Sequence, residues 1–91
     1  MKYGLFRTIK ASFVKNLELS QVTFEYYAGQ ICDIDCDTQY LVVPETIEKI
    51  ELEKLKLDRK SAKLSYKIIT EDYIDACIED NNLISDVAYL L

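Results

Sequence analysis

Ninety-one residues make one domain, enough for a single hydrophobic core but near the size at which stability is modest. A hydrophobic share of 49% beside 30% charged residues excludes a disordered chain, and no apolar run approaches the roughly 18 residues of a membrane span. The formal net charge of −5 disfavours non-specific binding to a phosphate backbone, although Lys54, Lys56, Arg59, Lys60, Lys63 and Lys67 gather in one stretch and no basic residue follows Lys67.

Lys2, Arg7 and Lys10 interrupt the N-terminus, which therefore lacks the apolar stretch of a signal peptide. Ile9 to Val14 reads as a first strand, with Phe13 and Val14 at its end. Asn16 is placed to cap a helix from Leu17 to Ala28, in which Leu19, Val22 and Tyr26, with Tyr27 beside them, fall at helical spacing. Gly29 stands where such a helix needs a left-handed terminal residue. Gln30 to Ile34 is a second short strand, Asp35-Cys36-Asp37 a polar turn, and Tyr40-Leu41-Val42-Val43 an apolar run expected to be a strand buried on both faces and ended by Pro44. From Glu45 to Leu64 the positions of Ile50, Leu52, Leu55 and Leu57 suit an alternating strand nearly as well as a helix, and the Glu/Lys/Leu content favours the helix.

Lys67 to Ile69 reads as a fourth strand running straight into a third helix. Thr70 is the expected N-cap, with Glu71 and Asp72 at the positive end of the helix dipole. Tyr73 with Cys77 and Ile74 with Ile78 are i,i+4 pairs that make one apolar stripe, which leaves Glu71, Asp75, Glu79 and Asp80 to water. Asn81-Asn82 breaks this helix before the apolar ending Leu83-Ile84 and Tyr89-Leu90-Leu91. The order of elements implies a three-layer α/β domain: a small, mostly parallel four-stranded sheet flanked by helices. Gly29, Leu41, Val42, Tyr73 and Cys77 are its expected core positions.

Chemistry-bearing residues are few. Cys32, Cys36 and Cys77 form an odd set, and Cys77 lies on an apolar stripe, which suits a reducing compartment better than a disulfide framework. Zinc needs four Cys or His ligands and the chain has no histidine. Asp33, Asp35 and Asp37 discourage the thiolates of Cys32 and Cys36, so a cysteine enzyme is not expected. The same three aspartates lack the glycine and terminal glutamate of a calcium loop and read as a solvated turn. The basic stretch, interleaved with Glu53 and Asp58, reads first as a solvated helix face and second as a weak DNA contact. No cofactor, metal or catalytic residue is predicted.

Ile69-Thr70-Glu71-Asp72-Tyr73-Ile74-Asp75-Ala76-Cys77-Ile78 resembles the last strand and third helix of the BRCT domains, where an aromatic, usually tryptophan, stands four before a cysteine or serine. Gln39-Tyr40-Leu41-Val42-Val43 is similar to the family's Thr-His-Leu-Val strand, and Ala28-Gly29 stands where the family has Gly-Gly. With Leu5-Phe6 at one end and Tyr89-Leu90-Leu91 at the other, the resemblance covers the whole chain. It is narrowest toward the C-terminal BRCT domains of eukaryotic end-joining DNA ligases, through Val22 to Gly29, the long charged connection to Lys67 and the Tyr-Leu-Leu terminus.

The resemblance implies a single BRCT-like domain over residues 1–91, excised from a larger nuclear DNA-repair protein. It implies a non-catalytic protein-interaction module that is monomeric when isolated, its partner being the coiled-coil scaffold of non-homologous end joining. The alternative it carries is a phosphopeptide- or DNA-end-binding module of another repair, replication or telomere protein. That alternative needs a Ser/Thr-Gly pair after the first strand, where this chain has Lys15-Asn16, and a lysine near the second helix. Asn16 would donate to the phosphate, and Lys56 or Lys60 would serve as the lysine; Lys54 and Arg59 complete the candidate phosphate or DNA contacts.

Overall fold

A computed structural model describes residues 4–14, 17–35 and 37–91. Four strands, β1 (Lys10–Phe13), β2 (Gln30–Ile31), β3 (Tyr40–Val43) and β4 (Lys67–Thr70), form an all-parallel sheet in the order β2-β1-β3-β4. Parallel neighbours need crossovers. Helix α1 (Glu18–Tyr26) joins β1 to β2, and α2 (Lys49–Ser61) joins β3 to β4. These two crossovers step in opposite directions along the sheet, so right-handed connections put the two helices on opposite faces. Helix α3 (Asp72–Asp80) follows β4 and returns to the α1 face. The expected three-layer architecture is the one observed.

The central strand β3 divides its side chains between the layers. Val42 faces α1 and α3 together with Ala11, Ile69, Tyr73, Ile74 and Cys77, whereas Leu41 and Val43 face α2 with Ile68 and Tyr66. Leu41, Val42, Val43 and Cys77 are all fully buried. This explains the uninterrupted apolar run: both faces of the strand are covered, so neither needs polar residues.

Helix α1 corrects the sequence reading. Leu19, Val22 and Tyr26 are exposed, and the buried side is made by Leu17, Phe24 and Tyr27 instead. Both rows have helical spacing, and the aromatic contacts decide between them. Phe24 lies 5.0 Å from the Phe6 ring and 5.5 Å from the Phe13 ring, and Tyr27 meets Phe6 edge-on at 6.4 Å. Burying this cluster removes more apolar surface than burying Leu19 and Val22 would. The helix begins at Glu18 after Leu17 without a side-chain cap; the proposed cap, Asn16, lies outside the described residues, as do Lys15 and Cys36.

The end of α1 is a second correction. Ala28, with φ 70°, takes the left-handed conformation expected of Gly29, which itself has no positive φ. Gly29 is needed for a different reason. It is half-buried beneath the Phe24 ring, and a Cβ there would stand 2.4 Å from a ring carbon.

At the start of α3, Thr70 is not the cap. The Glu71 amide donates to the Val43 carbonyl at 2.9 Å, extending the ladder by one residue and holding Thr70 in the strand. Helix α3 then opens from Glu71 with no side-chain cap hydrogen bond. Its apolar stripe is as expected, with Tyr73, Ile74 and Cys77 buried and Ile78 packed against the same core. Asn81, with φ 57°, ends the helix in the left-handed conformation, and the Asn82 amide donates to the Cys77 carbonyl.

Strand β2 is shorter than the expected Gln30 to Ile34 because the chain turns around Thr38, a buried polar residue that the sequence did not single out. The Thr38 hydroxyl donates to the Asp33 carbonyl at 3.1 Å and accepts the Asp35 amide at 2.9 Å.

The C-terminal segment covers the outer edge of β4. Leu90 bridges Ile69 antiparallel, and the Leu91 amide donates to Ile68. A polar cluster fastens this segment: Tyr40 donates to Asp86 at 2.7 Å, Lys67 to the same carboxylate at 3.2 Å, and Tyr73 to the Ile84 carbonyl at 2.8 Å. An edge strand closed this way offers no ladder to another chain.

Two predictions follow from this geometry. Ala28→Gly should raise the unfolding free energy by about 0.5–1 kcal/mol, since a left-handed non-glycine residue costs about 1–2 kcal/mol and glycine returns part of that as unfolded-chain entropy. Gly29→Ala should lower it by roughly 1–3 kcal/mol through overpacking against Phe24; urea denaturation of both variants measures the pair. The second concerns pH. Asp86 is held below its ordinary value, first by the bond from Tyr40, so its contribution is present above the ordinary carboxylate range and is lost as pH falls through the depressed value. The Tyr40 phenol is pushed up to about 12, first by burial and then by its bond to Asp86, so its contribution is complete below 10 and is lost as pH climbs through 12. Asp86→Asn should flatten the acid limb of a stability–pH curve, and Tyr40→Phe the alkaline limb.

Candidate functional site

Crevices in parallel α/β domains form outside the carboxyl ends of the strands. Here Val14 and Leu17 after β1, Pro44, Thr46 and Ile47 after β3, and Glu51, Lys54, Leu55 and Asp58 of α2 line such a groove. Its floor is apolar, and Lys54 is its single basic residue among those described. Glu51 precedes Lys54 by three residues and Asp58 follows it by four, so both carboxylates flank the ammonium on the helix surface.

More negative charge stands beside the groove. Glu45 faces Asp72, and the bond that a proton shared between the two carboxyls would make, followed by the Asp72 charge, a little desolvation and the Glu71 charge, pushes the Glu45 carboxyl above the usual range. Glu71 also accepts the Ser20 hydroxyl at 3.4 Å, tying α3 to α1. Among the described residues a dianionic phosphate would meet one lysine among five carboxylates here, which is unfavourable wherever water is partly excluded.

The structure separates the remaining candidate residues. Lys54 and Lys56 are two apart and project to opposite sides of α2, whereas Lys56 and Lys60, four apart, share one exposed side. Arg59 does not join either set. Its guanidinium donates to the Tyr66 carbonyl at 2.9 Å and lies over the Tyr66 ring, 5.7 Å from the centroid. Burial raises the Tyr66 phenol and the Arg59 charge partly pulls it back. Arg59 therefore packs α2 onto the segment before β4. Sequence reading counted it with the lysines, though its place in the row Leu52-Leu55-Arg59, at helical spacing, marks the inward side.

The two described cysteines do not converge. Cys77 is buried in the core and Cys32 is half-buried against Thr38 at 3.5 Å. Among the described residues no three His, Cys, Asp or Glu side chains are grouped to hold a metal ion, and no helix is long and apolar enough to cross a membrane.

No protein-family model and no curated protein matches the sequence. Solved structures do match in shape. The C-terminal BRCT domain of human XRCC1 superposes with a TM-score of 0.69 at 13% identity, over 96% of this chain and 92% of that one. The BRCT domain of the human DNA repair protein REV1 gives 0.68 at 16%, over 97% and 88%. In the crystal structure of yeast Rtt107 and Slx4 the match reaches 0.75 at 16%, over 99% of this chain and 21% of that one. The fold is that of the BRCT domains.

Arg59→Ala should cost roughly 1–3 kcal/mol in thermal or urea unfolding, because it removes a charge-assisted hydrogen bond and a stacked cation together. Lys56→Gln and Lys60→Gln should each stay within about 0.5 kcal/mol. Binding of duplex DNA at physiological salt should be equally weak for wild type and the double lysine variant, with no change in the slope against salt. A steep wild-type slope that the double variant abolishes would make these lysines a DNA contact.

Proposed function

We propose that this chain is a non-catalytic protein-docking module of a nuclear DNA-repair protein, and specifically the C-terminal BRCT domain of a eukaryotic DNA ligase IV. In this reading it acts with an upstream linker and a sister domain to clasp the coiled-coil scaffold of non-homologous end joining, without requiring phosphorylation of its partner. The BRCT fold over essentially the whole chain is the observation that carries the reading. The narrower assignment is supported by the sequence from Val22 to Gly29, the charged connection to Lys67 and the Tyr89-Leu90-Leu91 ending.

Independence from phosphate is supported by the groove. Lys54 stands between Glu51 and Asp58, and Lys15-Asn16 replaces the Ser/Thr-Gly pair that would supply a hydroxyl and a backbone amide to the phosphate oxygens. An isolated domain of this size seldom offers the roughly 800 Å² per partner of a standard stable interface, so most of the affinity resides in the tandem arrangement.

The test is capture of the purified end-joining scaffold by this chain alone and by the tandem form, before and after phosphatase treatment. The tandem form should retain the scaffold in both conditions, and the chain alone should bind it weakly. Failure of the tandem form to bind would remove the ligase IV assignment. Phosphatase-sensitive capture of phosphoproteins by the chain alone would put the phosphopeptide reader in its place.

A further inference from the structure

The groove at the carboxyl ends of the strands joins an apolar floor to an acidic border. Val14, Leu17, Pro44, Ile47 and Leu55 make the floor, and all but Leu17 are only half-buried, so apolar surface is left in contact with water. At about 900 Å³ the groove is too large for one side chain and suits a short stretch of another chain. Glu51 and Asp58 border it on α2; Glu45 lies in the chain between the lining residues Pro44 and Thr46, with Asp72 and Glu71 beside it. Lys54 is the one ammonium among these five carboxylates.

The helix dipoles account for part of this charge. Glu51, Glu71 and Asp72 stand at helix starts, where negative charge is favoured. Glu45 belongs to no helix, and Asp58 is in the last turn of α2, where the dipole opposes it. Ion pairs do not offset that cost: among the described residues the one pair within 4 Å is Lys67 with Asp86, away from the groove. The carboxylates thus keep their charge for another molecule.

We propose that this groove docks an unphosphorylated basic segment of a protein partner, an aliphatic side chain lying on the floor and a neighbouring lysine or arginine standing between the carboxylates. Both features of the segment are required. A purely basic segment would leave the floor wet, and a purely apolar one would partly desolvate the carboxylates without a counter-charge. The same charges disfavour nucleic acid and phosphopeptides. The proposal rests on the reading of the chain as a docking module, though not on the end-joining scaffold as the partner.

Selection of phage-displayed random peptides on the immobilised chain, followed by fluorescence titration of the enriched sequence as a synthetic peptide, tests this. Enriched peptides should combine an aliphatic residue with lysine or arginine and bind with a dissociation constant on the order of 10–100 µM, weakening as salt rises. Glu51→Gln with Asp58→Asn, both at exposed positions, should weaken that peptide about tenfold at an unchanged melting temperature. Glu79→Gln with Asp80→Asn, at the far end of α3, should leave it unaffected. Serine in place of the peptide's aliphatic residue should abolish binding. No enrichment, enrichment of acidic sequences, or a peptide indifferent to the Glu51 and Asp58 changes overturns the proposal. So does tighter binding once a serine in the peptide is phosphorylated, which would put phosphate in the groove. None of these outcomes involves the scaffold, so loss of the basic-segment site and loss of the ligase IV assignment are separate results.

Discussion

The register of β3 is the constraint on which the other elements depend. Tyr40 to Val43 pairs with β1 on one side and β4 on the other, so its alternation fixes which residues serve each core. A slip by one residue would send Val42 toward α2 and bring Leu41 and Val43 against α3, and every packed neighbour would lose its partner. The same register determines where α3 begins. The bond from the Glu71 amide to the Val43 carbonyl ends the ladder one residue beyond Thr70, and that offset lays Tyr73 against Tyr40 at 5.8 Å and Tyr89 at 5.6 Å. The tail that closes the β4 edge is thus held by side chains whose positions trace back to one strand.

Much of this was legible in the sequence, and the failures have identifiable causes. The β3 run could be read because its residues are apolar without interruption, and the α3 stripe because that helix has only one apolar row. Helix α1 has two, Leu19-Val22-Tyr26 and Leu17-Phe24-Tyr27, and periodicity alone cannot choose between them. What chooses is the contact of Phe24 with Phe6 and Phe13, residues distant in sequence. The Ala28-Gly29 pair misled for a related reason. Glycine has two uses, left-handed backbone and absence of a Cβ, and here the second applies while Ala28 bears the cost of the first.

The candidate site was less legible than the fold. Charge was counted along the chain, but the helix distributes it in space. Arg59 turns inward to Tyr66, and Lys54 separates from Lys56 and Lys60. Thr38 carried no motif, yet its hydroxyl organises the turn that shortens β2. Glu45 and Asp72, twenty-seven positions apart, come close enough for one carboxyl to raise the other only because β3 and β4 end side by side. That convergence makes the mouth of the groove acidic, a property visible only once the sheet is assembled.

The distribution of charge also explains how a 91-residue domain keeps large apolar side chains on its surface. Leu19 and Val22 would form a sticky patch if they stood alone, since small domains have little stability in reserve against association through exposed apolar surface. Glu18 and Glu25 beside them, together with the acidic face of α3, repel another copy that approaches with the same side. Lysines around Ile50 and Leu57 do the same on the opposite face. The flanking charges thus restrict which surfaces can approach each apolar row while contributing little to affinity.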